Sequence, residues 1–108
     1  MNIAKEHVVG LVSMELQHAK KNHEPFHSLH EGYAVLLEEV EECMDELQAV
    51  QIRTSKLWDA VKDDAIDDAL NALDRIEDAA VRLASEAIQV AAMAQKTREF
   101  ATSAQSEG

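Results

Sequence analysis

The sequence predicts an all-α protein in which an N-terminal helix packs on a long antiparallel helical hairpin. Three observations lead there. Apolar residues recur at spacings of three and four through most of the chain, the helical period. Ala, Leu, Glu, Asp, Lys and Gln dominate, a composition of strong helix formers. One proline and three glycines leave little turn chemistry for a sheet.

The first helix is expected over residues 2–21, where Val8, Leu11, Val12, Glu15, Leu16 and Ala19 fall at helical spacings. Lys20 and Lys21 occupy its last turn, where cations suit the helix dipole. Residues 22–28 read as a loop, because Pro25 disfavours helix at Glu24. Ser28-Leu29-His30-Glu31 then fits a capping box and predicts a helix starting at Leu29. From there the stripe Leu36, Val40, Cys43, Leu47, Val50, Thr54, Leu57, Val61 keeps phase, with Trp58 beside it. One helix over 29–62 follows; a break near Arg53-Thr54-Ser55 is the alternative, and no glycine or proline marks one. Lys62-Asp63-Asp64 reads as the turn, with Asp63 or Asp64 capping the next helix. That helix shows Ile66, Leu70, Leu73, Ile76, Ala80, Leu83, Ala87, Val90 and Ala94, and is expected to end near Phe100. The small polar residues 101–108 are expected to fray, leaving a single domain over 1–100.

Charge and cysteine content narrow the function classes. The net charge of −11 argues against nucleic-acid binding, which needs a basic surface. Cys43 is the only cysteine, so no intrachain disulfide can form and a reducing, cytoplasmic setting is expected. Nothing reads as a signal peptide or a membrane span.

Folding the hairpin about residues 63 and 64 sets residues whose numbers sum to about 127 opposite one another, at about 1.5 Å of rise per residue. Val61 then faces Ile66, Leu57 faces Leu70, Thr54 faces Leu73 and Leu47 faces Ala80. The same register levels Glu42 with Glu86, and Glu38 and Glu39 with Gln89. Taking Val40 and Ala87 as the centres of their stripes, Glu39 and Glu86 lie about 100° round, and Glu42 and Gln89 about 160°, in the same sense. An antiparallel pair brings equal azimuths to one flank, so Glu39, Glu42, Glu86 and Gln89 are expected in one patch. Carboxylates gathered this way repel unless a divalent cation offsets them, and Mg²⁺ prefers such oxygen ligands. Arg82, one turn below Glu86, is the candidate contact for an anionic substrate; the bland alternative is a surface ion pair with Asp78 or Glu86.

Glu38-Glu39-Val40-Glu41-Glu42 followed by Glu86-Ala87-Ile88-Gln89 resembles the EExxE…ExxD signature of the all-α, MazG-like nucleoside triphosphate pyrophosphohydrolases. The flanking runs from His30 to Glu39 and from Glu86 to Ala94 resemble a small branch of that superfamily found in phage and prophage genomes. The resemblance covers roughly residues 26–100. It implies Mg²⁺, or Mn²⁺, held by Glu39, Glu42, Glu86 and Gln89, with Glu38 supporting the shell or orienting water. It also implies cleavage of a nucleoside triphosphate to the monophosphate and pyrophosphate, in a homodimer or tetramer. Gln89 departs from the motif, which has Asp there. An amide oxygen can ligate but brings no charge, and the alternative is therefore a non-catalytic helical oligomer that kept the scaffold. A hairpin too long for one short helix to cover also predicts assembly with further copies.

Three bland readings complete the sequence view. Cys43 is expected as a buried small hydrophobe. Trp58 is expected in packing or at a subunit interface. His23, His27 and His30 are expected in loop and capping contacts, since structural zinc wants four ligands.

Overall fold

The computed structural model describes residues 2–107, with side chains from residue 4 onward. The chain forms three helices, α1 (Asn2–Asn22), α2 (Leu29–Lys62) and α3 (Ile66–Glu107). Among the described residues, none of these helices is long and apolar enough to cross a membrane. The chain divides into two compact units, Met1–Val40 with Ala87–Gly108, and Glu41–Glu86.

Local chemistry explains the helix ends. The Asn22 side chain donates to the His18 carbonyl at 2.8 Å, satisfying one of the acceptors a helix leaves open at its C-terminus. Ser28 caps α2: its Oγ accepts the Glu31 backbone N–H at 3.1 Å. The Glu31 carboxylate turns to His27, 3.7 Å from Nδ1. The α2 helix runs unbroken to Lys62, and the Thr54 hydroxyl is absorbed by donating to the Val50 carbonyl at 2.8 Å.

The turn to α3 is a Schellman motif. Ala65 N–H donates to the Ala60 carbonyl at 2.9 Å and Asp64 N–H to the Val61 carbonyl at 3.1 Å. Asp64, with φ at 52°, takes the left-handed position usually given to glycine. Asp63 and Asp64 therefore close α2 and do not cap α3. Ala65 stands at the cap position, its carbonyl accepting the Ala69 N–H at 2.9 Å. At the other end, α3 continues through Glu107, past the end expected near Phe100. The last residues contain no helix breaker before Gly108, and Ser106 Oγ donates to the Thr102 carbonyl at 3.1 Å.

In the first unit, Val12, Leu16 and Ala19 of α1 bury against Phe26 of the loop and Ala92 and Met93 of α3. Val35, Leu36, Ile88, Ala91 and Phe100 pack around this cluster. Val8 and Leu11, expected on the same stripe, are 44% and 46% exposed, so α1 commits only its C-terminal half to the core. Lys20 reaches Glu99 at 3.1 Å, an exposed pair of small weight. At Gly32 α2 passes close to α3: a Cβ there would meet Thr97 Cγ2 at 2.8 Å.

In the second unit, α2 and α3 pair as a tight antiparallel hairpin, and the buried residues are Ala60, Ala72 and Ala79. The expected seam holds in part, with Cys43, Val50, Leu57, Ile76 and Leu83 half-buried. Val61, Ile66, Leu70, Leu73 and Leu47 are all 47% or more exposed, and Trp58 is 59% exposed with Lys62 Nζ 5.9 Å from its ring centroid. Both helices are turned by roughly 60° from the orientation that the large apolar residues suggest, in the same sense. Alanine at the seam lets the backbones approach closely, and the large side chains move to one flank.

Candidate metal centre

The rotation carries the acidic flank toward the seam. Glu39 and Glu86 become half-buried, while Glu42 stays exposed. Glu39, Glu42 and Glu86 each offer a carboxylate oxygen within 4.8 Å of the other two. This fits a divalent cation. Two ligands of one ion can be separated by at most twice the metal–oxygen distance, about 4.2 Å for Mg²⁺ and about 5 Å for Ca²⁺. In an octahedral Mg²⁺ shell neighbouring oxygens lie about 3 Å apart, so the three carboxylates would close further around a bound ion.

Glu38 and Arg82, also expected at the site, lie outside this group. Glu38 is exposed. Gln89 is half-buried and, with Glu39, lines a cleft of about 510 Å³ in the first unit. Arg82 is taken up by carboxylates: Nη1 bonds Asp78, and Nε lies 3.1 Å from Glu46 Oε2. The hydrogen bond that Arg82 donates to Asp78, then the one it donates to Glu46, raises the guanidinium pKa above its ordinary value. Asp78 is one of the two partners foreseen; the other is Glu46 in place of Glu86. Cys43, which forms no disulfide, is half-buried beside the seam.

The cleft was not legible in the sequence. Its walls come from the C-terminal half of α1, the loop around Pro25 and Phe26, and the facing turns of α2 and α3. His18, His23 and His27 stand along it, and His27 Nε2 lies 3.7 Å from Glu24. At its wall Lys96 is 7% exposed, with Nζ 4.3 Å from the Phe26 ring centroid. The signal that could have found it is a cation seven residues after Gln89, on the same face of α3 and just past the apolar run Val90–Ala94.

The chain matches no family model, no curated protein and no solved structure.

Proposed function

We propose that this protein is a Mg²⁺-dependent nucleoside triphosphate pyrophosphohydrolase of the MazG-like type, releasing pyrophosphate and a nucleoside monophosphate in nucleotide-pool house-cleaning. The observation that carries the reading is the convergence of Glu39, Glu42 and Glu86 within 4.8 Å. Those are three of the four positions at which the motif resemblance puts metal ligands. A bound Mg²⁺ or Mn²⁺ supplies positive charge that polarises phosphoryl oxygens. The chain's own residues do the rest. The three glutamates would hold the ion, the Gln89 amide would offer a neutral oxygen from the cleft side, and Glu38 would orient water from the exposed face. Arg82 serves the scaffold by tying Glu46 to Asp78 and keeping Glu46 away from the acidic group.

The protein assembles as a homodimer or tetramer. The support is the flank of Leu47, Val61, Ile66, Leu70 and Leu73, large apolar residues on one side of the hairpin and exposed in the single chain. Gln89 favours a second reading, a helical oligomer that binds without turnover, because the site lacks the fourth carboxylate of the motif.

The test is calorimetric titration with Mn²⁺ and Mg²⁺ together with pyrophosphate release from a panel of triphosphates. The hydrolase reading expects metal binding that Glu42→Gln abolishes, release that depends on metal, and faster release from Gln89→Asp. Metal binding without release by either wild type or Gln89→Asp supports the second reading. No metal binding at millimolar concentration refutes both the centre and the hydrolase.

A further inference from the structure

A lysine only 7% exposed is uncommon, because removing an ammonium group from water is costly unless its charge is met. Lys96 Nζ lies over the Phe26 ring, a cation–π contact that offsets part of this cost but gives its N–H donors no hydrogen bond. Among the described residues it closes no salt bridge. The cleft it lines is otherwise acidic, with Glu15, Glu24, Glu31 and Glu39 in its walls. A ligand suited to this cleft therefore carries one anionic group for Lys96 and an excess of positive charge for the glutamates.

The polar groups are also ordered along the cleft, all of whose lining residues belong to the first unit. Gly32 stands against Thr97 and the helices run antiparallel, so Glu31 is level with the turn that bears Lys96, Val35 with Met93, and Glu39 with Gln89. Glu31, Val35 and Glu39 recur every four residues and share one face of α2. One end of the cleft thus holds Lys96 and Glu31, with His27 lying 3.7 Å from both Glu31 and Glu24. The middle is apolar, through Val35, Met93 and Phe26. The far end holds Glu39 and the Gln89 amide, about 10 Å from Lys96 along the axis of α3.

We propose that the cleft binds a free amino acid with a cationic side chain. Its carboxylate meets the Lys96 ammonium group, and its α-ammonium group meets Glu31. Its methylene chain lies along Val35 and Met93, and its terminal cation reaches Glu39 and the Gln89 amide oxygen. The cleft, at about 510 Å³, is of the size that takes a small molecule. Related chemistries fit less well. A diamine sets like charge against Lys96, and an acidic amino acid sets like charge against the glutamates. The proposal goes beyond the hydrolase reading and involves no reaction, so either can fail while the other stands.

The experiment is titration calorimetry of lysine, arginine, glutamate and 1,5-diaminopentane into the full chain, without divalent metal. The variants are Lys96→Met and Glu31→Gln. Wild type is expected to bind lysine or arginine at millimolar concentration or below, and glutamate not at all. The diamine, which is lysine without its carboxylate, should bind roughly 10-fold more weakly than lysine. Lys96→Met should weaken the amino acid roughly 10- to 100-fold and leave the diamine unchanged or tighter, a split that a merely structural lysine would not produce. Glu31→Gln should weaken the amino acid while sparing the preference for it over glutamate. Three results overturn the proposal: no binding of lysine or arginine by wild type, a diamine that binds as well as lysine, or a folded Lys96→Met that keeps full affinity for the amino acid. If Lys96→Met does not fold, the ¹³C-labelled wild type decides by NMR. The bound amino acid must then shift the Lys96 ε-methylene resonance and outcompete the diamine, and failure of either overturns the site.

Discussion

Replacing Gly32 by alanine sets two effects of similar size against each other. In a helix interior alanine is favoured over glycine by about 1 kcal/mol. The new methyl would sit 2.8 Å from Thr97 Cγ2, 2.9 Å from Oγ1 and 3.3 Å from Cβ. Rotating Thr97 about χ1 gives little relief, because both of its branches and its root already crowd the position. Its hydroxyl is also held by donation to the Met93 carbonyl at 2.8 Å. Overpacking of this kind costs about 1–3 kcal/mol, so the net change is a loss of about 1 kcal/mol. In a chain of this size that is a fall in Tm of roughly 5 °C. Thermal unfolding at fixed protein concentration reads it. Thr97→Ala removes the two closest contacts and leaves only Cβ at 3.3 Å, so in that background the loss from Gly32→Ala should shrink to near zero across the double-mutant cycle. Stabilisation by Gly32→Ala in the wild-type background would refute the reasoning.

Three further outcomes follow from the same structure. Asp64→Gly should raise stability by about 0.5–1 kcal/mol by placing glycine at the left-handed position, whereas Asp64→Val should lower it; denaturant unfolding checks both. Ser28→Ala removes the acceptor for Glu31 N–H and should cost about 1 kcal/mol, with amide exchange quickening first at residues 29–32. Leu73→Asp places a charge on the exposed apolar flank and should shift the sedimentation coefficient toward that of a monomer while leaving helical circular dichroism unchanged. An unaltered oligomer would move the assembly surface off that flank.

Much of this architecture was legible, and the exceptions share a physical cause. The bounds of α2 followed from the Ser28 cap and the acidic turn, both local signals. Glu39, Glu42 and Glu86 were legible because register and azimuth need only the helix repeat. Part of the seam was misjudged because hydrophobicity gives most weight to leucine and isoleucine, whereas the close helix pair selects Ala60, Ala72 and Ala79 for their small size. The tail misled through its small polar residues, whose hydroxyls can bond back to the helix as Ser106 does. Lys96 and the cleft escaped notice because they depend on the path of the loop around Phe26, which no periodicity encodes.

The fully buried points of the seam are methyl groups, which makes those contacts smooth as well as narrow. Alanine surrenders no rotamer freedom on burial and offers no knob to lock one helix against another. Alignment of the hairpin then falls to its fixed points, the Asp64 turn and the Arg82 bridge to Glu46. One residue inserted at the turn would carry Glu86 about 1.5 Å along and about 100° around relative to Glu42. Such a slip would scatter the carboxylates while sparing helix content and solubility. The three-residue turn thus acts as a gauge for a centre more than twenty residues away from it on α3, and its length is under tighter constraint than its composition.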